Sequence, residues 1–311
     1  MFWWLARRLG QMALVLFGVV SLAFLLVYAV PADPAATLAG PNASAETIAS
    51  IRAQLGLDAP LWEQYLGFIG RLLSGDLGTS YVLRETSVFE RIVSALPTTV
   101  LVAIGGLVWQ IILGVPAGIY AAYRRGGWVD RTVTFVSLIG LSAPSFWLGL
   151  LLIYYFAFSW GLFPLNGLGD PIIWYLVLPT FTLGSGGGAW YARMTRTNMI
   201  ETLDSPFVRM ARAKGMPERT ILWRHCFRHV AIPLVTMIGL DFGYFLGGVV
   251  IVETVFGLNG IGRLAFDAIS NLDTPMIVGT VLFSALFIVV VNFIVDLLYS
   301  VIDPRVRLQR A

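Results

Sequence analysis

Three carboxylates interrupt stretches of this chain that are otherwise almost wholly apolar: Asp241, Glu253 and Asp296. A carboxylate removed from water is costly unless it is paired, protonated or wet. Two readings fit Asp241 and Glu253: a place on a solute pathway, or a structural polar contact between helices. Asp296, near Asn292, reads as a packing or end-of-helix contact. His225 and His229 stand at i, i+4, the spacing of a two-histidine metal pair. They lie among arginines with no carboxylate or second thiol nearby, so no metal is expected. A phosphate-binding loop ends in Gly-Lys-Ser/Thr, yet the sole lysine, Lys214, follows alanine. The chain therefore carries no phosphate-binding loop of that kind. Ser185 follows Leu183-Gly184, and no histidine follows inside an apolar stretch. An intramembrane serine nucleophile is thereby excluded.

The densest polar segment is Glu201–Pro233. It holds or borders eight basic residues: Arg193, Arg196, Arg209, Arg212, Lys214, Arg219, Arg224 and Arg228. Ser205 is placed to cap a helix through its hydroxyl, and Pro206 suits the first helical position. That helix is predicted to run to about Lys214, with Gly215 as a left-handed stop. Pro217 then opens a second helix leading toward Pro233. Phe207, Val208, Met210, Leu222, Trp223 and Phe227 lie among the arginines. Apolar anchors mixed with arginine suit a protein interface; a basic loop resting on anionic lipid is the other reading.

The positioning elements must cross a membrane. The chain has 311 residues, 57% hydrophobic and only 13% charged, with mean hydropathy +0.78. Soluble domains carry about 25% charged residues. One cysteine, Cys226, excludes an internal disulfide. Nothing resembles a nucleic-acid module. Six stretches reach the roughly 20 apolar residues needed to span: about 9–30, 97–122, 132–160, 174–192, 231–256 and 276–302. The first exceeds a signal-peptide core in length and reads as an uncleaved span. With both termini on the cytoplasmic side, basic residues number two in 1–8, three in 123–131, eight in 193–230 and three in 303–311. That is 16 of the 21, as basic inner loops require. Pro116, Pro144, Pro179 and the run Gly184–Gly188 are helix breakers; they serve either close packing or a flexible pathway-lining helix.

Segment 31–96 is the one sizeable outer piece. Asn42-Ala43-Ser44 precedes a stripe at Ile48, Ile51 and Leu55, stopped by Gly56. Pro60 opens a second stripe at Leu61, Tyr65, Phe68, Ile69 and Leu72. Two amphipathic helices and a turn at Gly75-Asp76-Leu77-Gly78 are expected. About sixty residues make a weak independent core, so they should pack on the spans or on a companion subunit.

The loop residues Arg209-Met210-Ala211-Arg212-Ala213-Lys214-Gly215, followed by Arg224-His225 and Pro233, resemble the EAA motif of ABC-importer permeases. The version is that of the dipeptide/oligopeptide/nickel family, first of its two membrane subunits. Arg7-Arg8-Leu9, Pro31-Ala32-Asp33-Pro34, Gln54–Asp58, Gly75–Gly78, Leu96-Pro97-Thr98 and Asp303-Pro304-Arg305 are similar to further family signatures, so the resemblance covers nearly the whole chain. Phe242–Gly248 with Glu253 looks closest to glutathione and dipeptide members. Ala32 replaces a usual glycine, Arg209 a glutamate and Arg228 a proline of the general motif. Leu258-Asn259-Gly260 replaces a usual Trp-Pro-Gly.

The resemblance implies an all-α polytopic membrane protein of the bacterial inner membrane. It implies six transmembrane helices in the type I ABC importer permease fold, with cytoplasmic termini. The implied divisions are 1–30 (first span), 31–96 (outer segment), 97–302 (five-helix core with coupling loop 193–230) and 303–311 (tail). It implies a non-catalytic subunit forming half of a pathway for di- or oligopeptides; glutathione or a nickel chelate is the alternative cargo. Implied partners are a second permease, two ATPase subunits that bind ATP and Mg, an outer substrate-binding protein and membrane lipid. The coupling helix would comprise Ser205, Pro206, Phe207, Arg209, Met210, Ala211, Arg212, Lys214 and Gly215. Phe207 and Met210 would be its apolar contacts; Arg209 and Arg212 its polar ones. Asp241 would face the amino group of a peptide, and Glu253 the outer gate. A secondary transporter is the remote competitor, but no internal repeat supports it.

Overall fold

The computed structural model describes residues 2–29, 33–40, 42–54, 56–83 and 86–302. The helices are α1 (Phe2–Ala29), α2 (Pro34–Ala39), α3 (Ala45–Gln54), α4 (Leu61–Leu73), α5 (Val88–Tyr123) and α6 (Trp128–Ser142). There follow α7 (Ser145–Leu152, continued by a π-helical Ile153–Ser159), α8 (Ile172–Leu203), α9 (Pro206–Ala213) and α10 (Glu218–Thr220, continued by a π-helical Ile221–Cys226). The last are α11 (Phe227–Leu246), α12 (Val250–Val255), α13 (Ile261–Ser270) and α14 (Thr274–Ile302). Among the described residues there is no strand, only an isolated bridge between Thr79 and Ser87. Without water in the bilayer core, a spanning backbone must close its own hydrogen bonds, and helices do so.

Five helical stretches are long and apolar enough to cross: Ala6–Leu25, Val88–Tyr123, Ile172–Leu203, Glu218–Leu246 and Thr274–Val295. The sixth predicted span, 132–160, is a pair, α6 and α7, bent by 99°. Ala143 ends α6 and Pro144 caps α7, because proline has no amide to continue the first helix. The predicted span 231–256 is also corrected. Its helix stops at Leu246, and Glu253 sits on the separate α12, not on the helix of Asp241. By contrast α8 runs unbroken through Pro179 and Gly184–Gly188 and goes on to Leu203, well past the predicted end at 192. Pro31 and Ala32 of one signature, Leu55 of the first outer stripe, the tail with Asp303-Pro304-Arg305, and the side chain of Asp296 lie outside the described residues.

The chain divides into two compact units. The first takes residues up to Thr99, Leu246–Val250 and Asn259–Val290. Here α4 packs Phe68, Ile69 and Leu72 against Val20 and Ala23 of α1 and Val278 and Leu282 of α14. Ser44 caps α3 by accepting from the Thr47 amide at 3.1 Å. Gly56, Gly75 and Gly78 have positive φ, as turns require. Asp273, buried, accepts from the Ser80 hydroxyl and from the Tyr81 amide at 3.0 Å, pinning the loop after Gly78 to the start of α14. The Ser284 hydroxyl donates to the Gly247 carbonyl at 2.7 Å, satisfying an acceptor freed where the helix breaks.

The second unit takes Val100–Phe245, Ile251–Leu258 and the residues from Val291 on. Glycines let α5 and α8 approach closely. A Cβ on Gly114 would stand 2.4 Å from the Gly188 carbonyl, and one on Gly118 2.5 Å from the Ala192 carbonyl. The glycine run is therefore a packing device here, of the small-residue kind that membrane helices use. Gly118→Leu should lower stability by about 1–3 kcal/mol through overpacking, whereas Gly10→Leu, with open space at its Cβ, should not. Melting of the purified protein in detergent reads this; equal midpoints would remove the α5–α8 contact from the forces that hold the unit.

Candidate functional site

The polar loop belongs to the second unit, where α8 delivers the chain to it. Asp204 closes α8 and Ser205 opens α9 in an extended conformation, with Pro206 at the first position. Ser205 sits at the predicted cap but works otherwise. Its hydroxyl donates back to the Thr202 carbonyl and accepts no amide of α9. Proline at the first position already removes one orphan donor, so a weaker cap is tolerated.

The far end of α9 follows the prediction. Gly215 has φ +73°. Its amide donates to Arg212 at 2.9 Å, and the Met216 amide donates to Ala211 at 3.2 Å. These two bonds are the paired closure of a glycine-terminated helix. Met216 and Ala211 both pack toward the apolar core, as that closure favours. An added Cβ at Gly215 meets nothing within 4 Å, so only the backbone conformation demands glycine.

One side of α9 is anchored. Val208 is fully buried in a core that includes Val115 and Ile119 of α5, Tyr191 and Met199 of α8, Ile221, Leu222 and Cys226 of the π-helical stretch, and Val230 and Leu234 of α11. Burying that one side chain stabilises by about 1.5–3 kcal/mol. The opposite side is open: Phe207 is 39% and Met210 60% exposed, with Arg209 and Lys214 exposed beside them. Ala211 turns partly inward against the core. Arg212, predicted as an interface contact, is taken up within the loop. Its Nε donates to Glu218 Oε1 at 2.7 Å. That hydrogen bond raises the already high Arg212 pKa further, and it ties α9 to the start of α10. The second predicted helix, opened by Pro217, leads toward Pro233 as expected and continues past it within α11.

Sequence reasoning missed a second fastening. Arg196 on α8 grips Asp130, in the first turn of α6, as a fork: Nε donates to Oδ1 and Nη2 to Oδ2, the latter at 2.9 Å. Asp130 Oδ2 also accepts from the Gly126 amide at 2.8 Å. Asp130 is only 7% exposed, Arg196 29%. The sole signal was an acid in the first helical turn, where it suits the helix dipole. The nearby Arg125–Asp204 pair, at 3.3 Å, is exposed at both ends and contributes little.

Asp241 lies on α11, half-buried, with the fully buried Tyr191 as its polar neighbour. Glu253 on α12 is fully buried. The two predicted pathway residues are thus carried by different helices. His229 stacks near Phe207, ring centroids 5.1 Å apart. Among the described residues no cluster of three metal-ligating side chains occurs.

Comparison with known proteins places this geometry. Residues 114–308 match the family described as "Binding-protein-dependent transport system inner membrane component", and residues 1–103 match its N-terminal counterpart. The chain is 40% identical over 302 residues to the glutathione transport system permease protein GsiC of Escherichia coli, covering 97% of both chains. The GsiC of Salmonella choleraesuis is 40% identical over 304 residues, 97% of this chain and 98% of that one. Two inward-facing crystal forms of the MetNI methionine ABC transporter share the fold. Their TM-scores are 0.55 and 0.58 and their identities 17% and 19%; they cover 69% and 68% of this chain and 97% and 96% of theirs.

The Asp130–Arg196 clasp yields a stability prediction. Removing one partner of a buried pair leaves the other uncompensated, a loss of roughly 3–5 kcal/mol when burial is complete. Arg196 keeps some exposure, so Asp130→Ala should lose about 2 kcal/mol. Adding Arg196→Met should restore most of it. Thermal melting in detergent tests the cycle; a double variant no better than the single one would dismiss the pair.

Proposed function

The chain belongs to the family of binding-protein-dependent transport system inner membrane components, the permeases of ABC importers, and we propose that it forms half of a peptide pathway driven through α9. As a permease it is a multi-pass, non-catalytic subunit of the bacterial inner membrane. The cargo is a di- or oligopeptide. Glutathione, a γ-linked tripeptide, is the second reading, favoured by the 40% identical relatives.

The observation that carries this reading is the two-sidedness of α9. Val208 is locked into a core shared with α5, α8 and α11, while Phe207 and Met210 stand exposed among Arg209 and Lys214. An exposed apolar pair ringed by cations is the composition of an interface hot spot. A partner pressing on that face moves a body fixed to three helices. The partner is an ATPase subunit, since this chain has no phosphate-binding loop. A second permease, a second ATPase and an outer binding protein, with ATP and Mg held by the ATPases, complete the assembly. Both termini and the α9 loop are assigned to the cytoplasmic side by the distribution of basic residues. The coupling set is Ser205, Pro206, Phe207, Arg209, Met210, Ala211, Arg212, Lys214 and Gly215, with Arg212 bracing the lever from within. Asp241 and Glu253 are assigned to the pathway.

Gly215→Val forces a β-branched residue into the left-handed region, where strain is about 1–2 kcal/mol for an ordinary side chain and more for a branched one. In the assembled importer it should cut uptake about tenfold while ATP hydrolysis persists; Gly215→Asn should be milder. Normal uptake by the valine variant would defeat the lever reading.

Asp241→Asn should reduce peptide uptake by an order of magnitude without loss of the protein from the membrane. Unchanged uptake would strike Asp241 from the pathway.

A further inference from the structure

Helix α4 has three faces rather than two. Tyr65, Phe68, Ile69 and Leu72 form the first, which packs on the spans of the first unit. Glu63, Gly67 and Arg71, at i, i+4 and i+8, form a polar face, all exposed. Between them runs a third stripe, Trp62, Leu66 and Leu73, at i, i+4 and i+11. These large apolar side chains are 63%, 59% and 83% exposed. A water-soluble helix of thirteen residues has no reason to show such a stripe beside an apolar face already covered.

Two rulers give the depth of this helix. Along α1, the Tyr65 hydroxyl bonds the Ser21 hydroxyl at 2.7 Å, and Phe24 packs on the Tyr65 and Phe68 rings. Ser21 and Phe24 lie nine and six residues inside the end of the apolar run at Val30, about 13 and 9 Å at the helical rise of about 1.5 Å per residue. Along α14, Val278 and Leu282 lie four and eight residues inside its start at Thr274, about 6 and 12 Å. Both rulers set α4 beside the apolar part of the spans rather than beyond their ends. At the same level α1 exposes Leu22 and Leu25, so the third stripe continues a surface already facing lipid.

The geometry points to α4 as an interfacial helix whose Trp62–Leu66–Leu73 stripe is covered by lipid of the leaflet where α1 ends and α14 begins. A helix with an apolar side and a charged side rests about 5–10 Å into the boundary between headgroups and acyl chains. Tryptophan favours that zone, where an amphipathic ring sits at headgroup level. Glu63 and Arg71 then face water, and the first face holds the spans. The outer segment is thereby fastened to the bilayer as well as to the protein.

Nitroxide labelling tests this in the assembled importer in proteoliposomes. The sole cysteine is replaced (Cys226→Ala), and single cysteines are introduced as Leu66→Cys, Leu73→Cys and Glu63→Cys. Labels at 66 and 73 should collide with dissolved oxygen severalfold more than with a water-soluble nickel chelate, and the label at 63 should show the reverse. Two outcomes overturn the assignment: nickel collisions at 66 and 73 equal to those at 63, which means water, or collisions with neither reagent, which means cover by another subunit. The two stripe positions are independent, so one poorly assembled variant leaves the other decisive.

Discussion

Lipid offers the peptide backbone no hydrogen-bond partner, and this constraint governs where the chain can depart from a helix. Each departure among the described residues comes with a local remedy. Between α6 and α7 the chain turns at Pro144, which has no amide to strand. After α11 the Gly247 carbonyl is taken by Ser284. Gly248, at φ +110°, lies so near Gly262 that a Cβ would stand 2.8 Å from its Cα; only glycine fits there. The amide of Ile261 at the start of α13 is met by the Thr99 hydroxyl at 2.8 Å. Small residues and hydroxyls are thus positioned to make irregular backbone tolerable at membrane depth.

The same economy shapes the polar loop around α9, which packs on the second unit and never becomes an independent domain. Eight residues of α9 are too few to hold a helix unaided. Pro206 at one end and the Gly215 closure at the other fix its limits, and Val208 sets which side faces in. Glu218 then engages Arg212 across the turn. A short helix so tethered is held as part of the unit's apolar core rather than as a free loop.

The length of the apolar runs made the spans legible, periodicity the outer helices α3 and α4, and turn chemistry the limits of α9. Proline and glycine were less informative within the apolar stretches. Pro144 breaks a helix and Pro179 does not; Gly247–Gly248 interrupt one, while Gly184–Gly188 pack one tightly against α5. What decides is the neighbour across the interface, which no local pattern encodes. The same holds for Val208, ordinary in sequence and central in the core, and for Arg212, whose partner lies six residues on. The three-sided character of α4 was written in its residues. Its depth was not, because only the contacts with Ser21 and Val278 supply a reference level.

Buried acids in this chain differ in how completely they are satisfied, and the difference separates structure from function. Asp130 receives a bidentate guanidinium and a backbone amide. Asp273 receives a hydroxyl and the Tyr81 amide. Both stand at helix starts, and both pin a loop. Each of these carboxylates is thereby committed to the fold through at least two donors. Asp241 stands within α11, only half-buried, with the Tyr191 hydroxyl as its polar neighbour. A carboxylate has about four acceptor sites, and at Asp241 the described residues leave most of them unclaimed. A purely structural acid at that depth would be expected to recruit partners as Asp130 and Asp273 do. Asp241 is the less completely satisfied acid, and the proposed assignment of Asp241 to the pathway rests on that contrast.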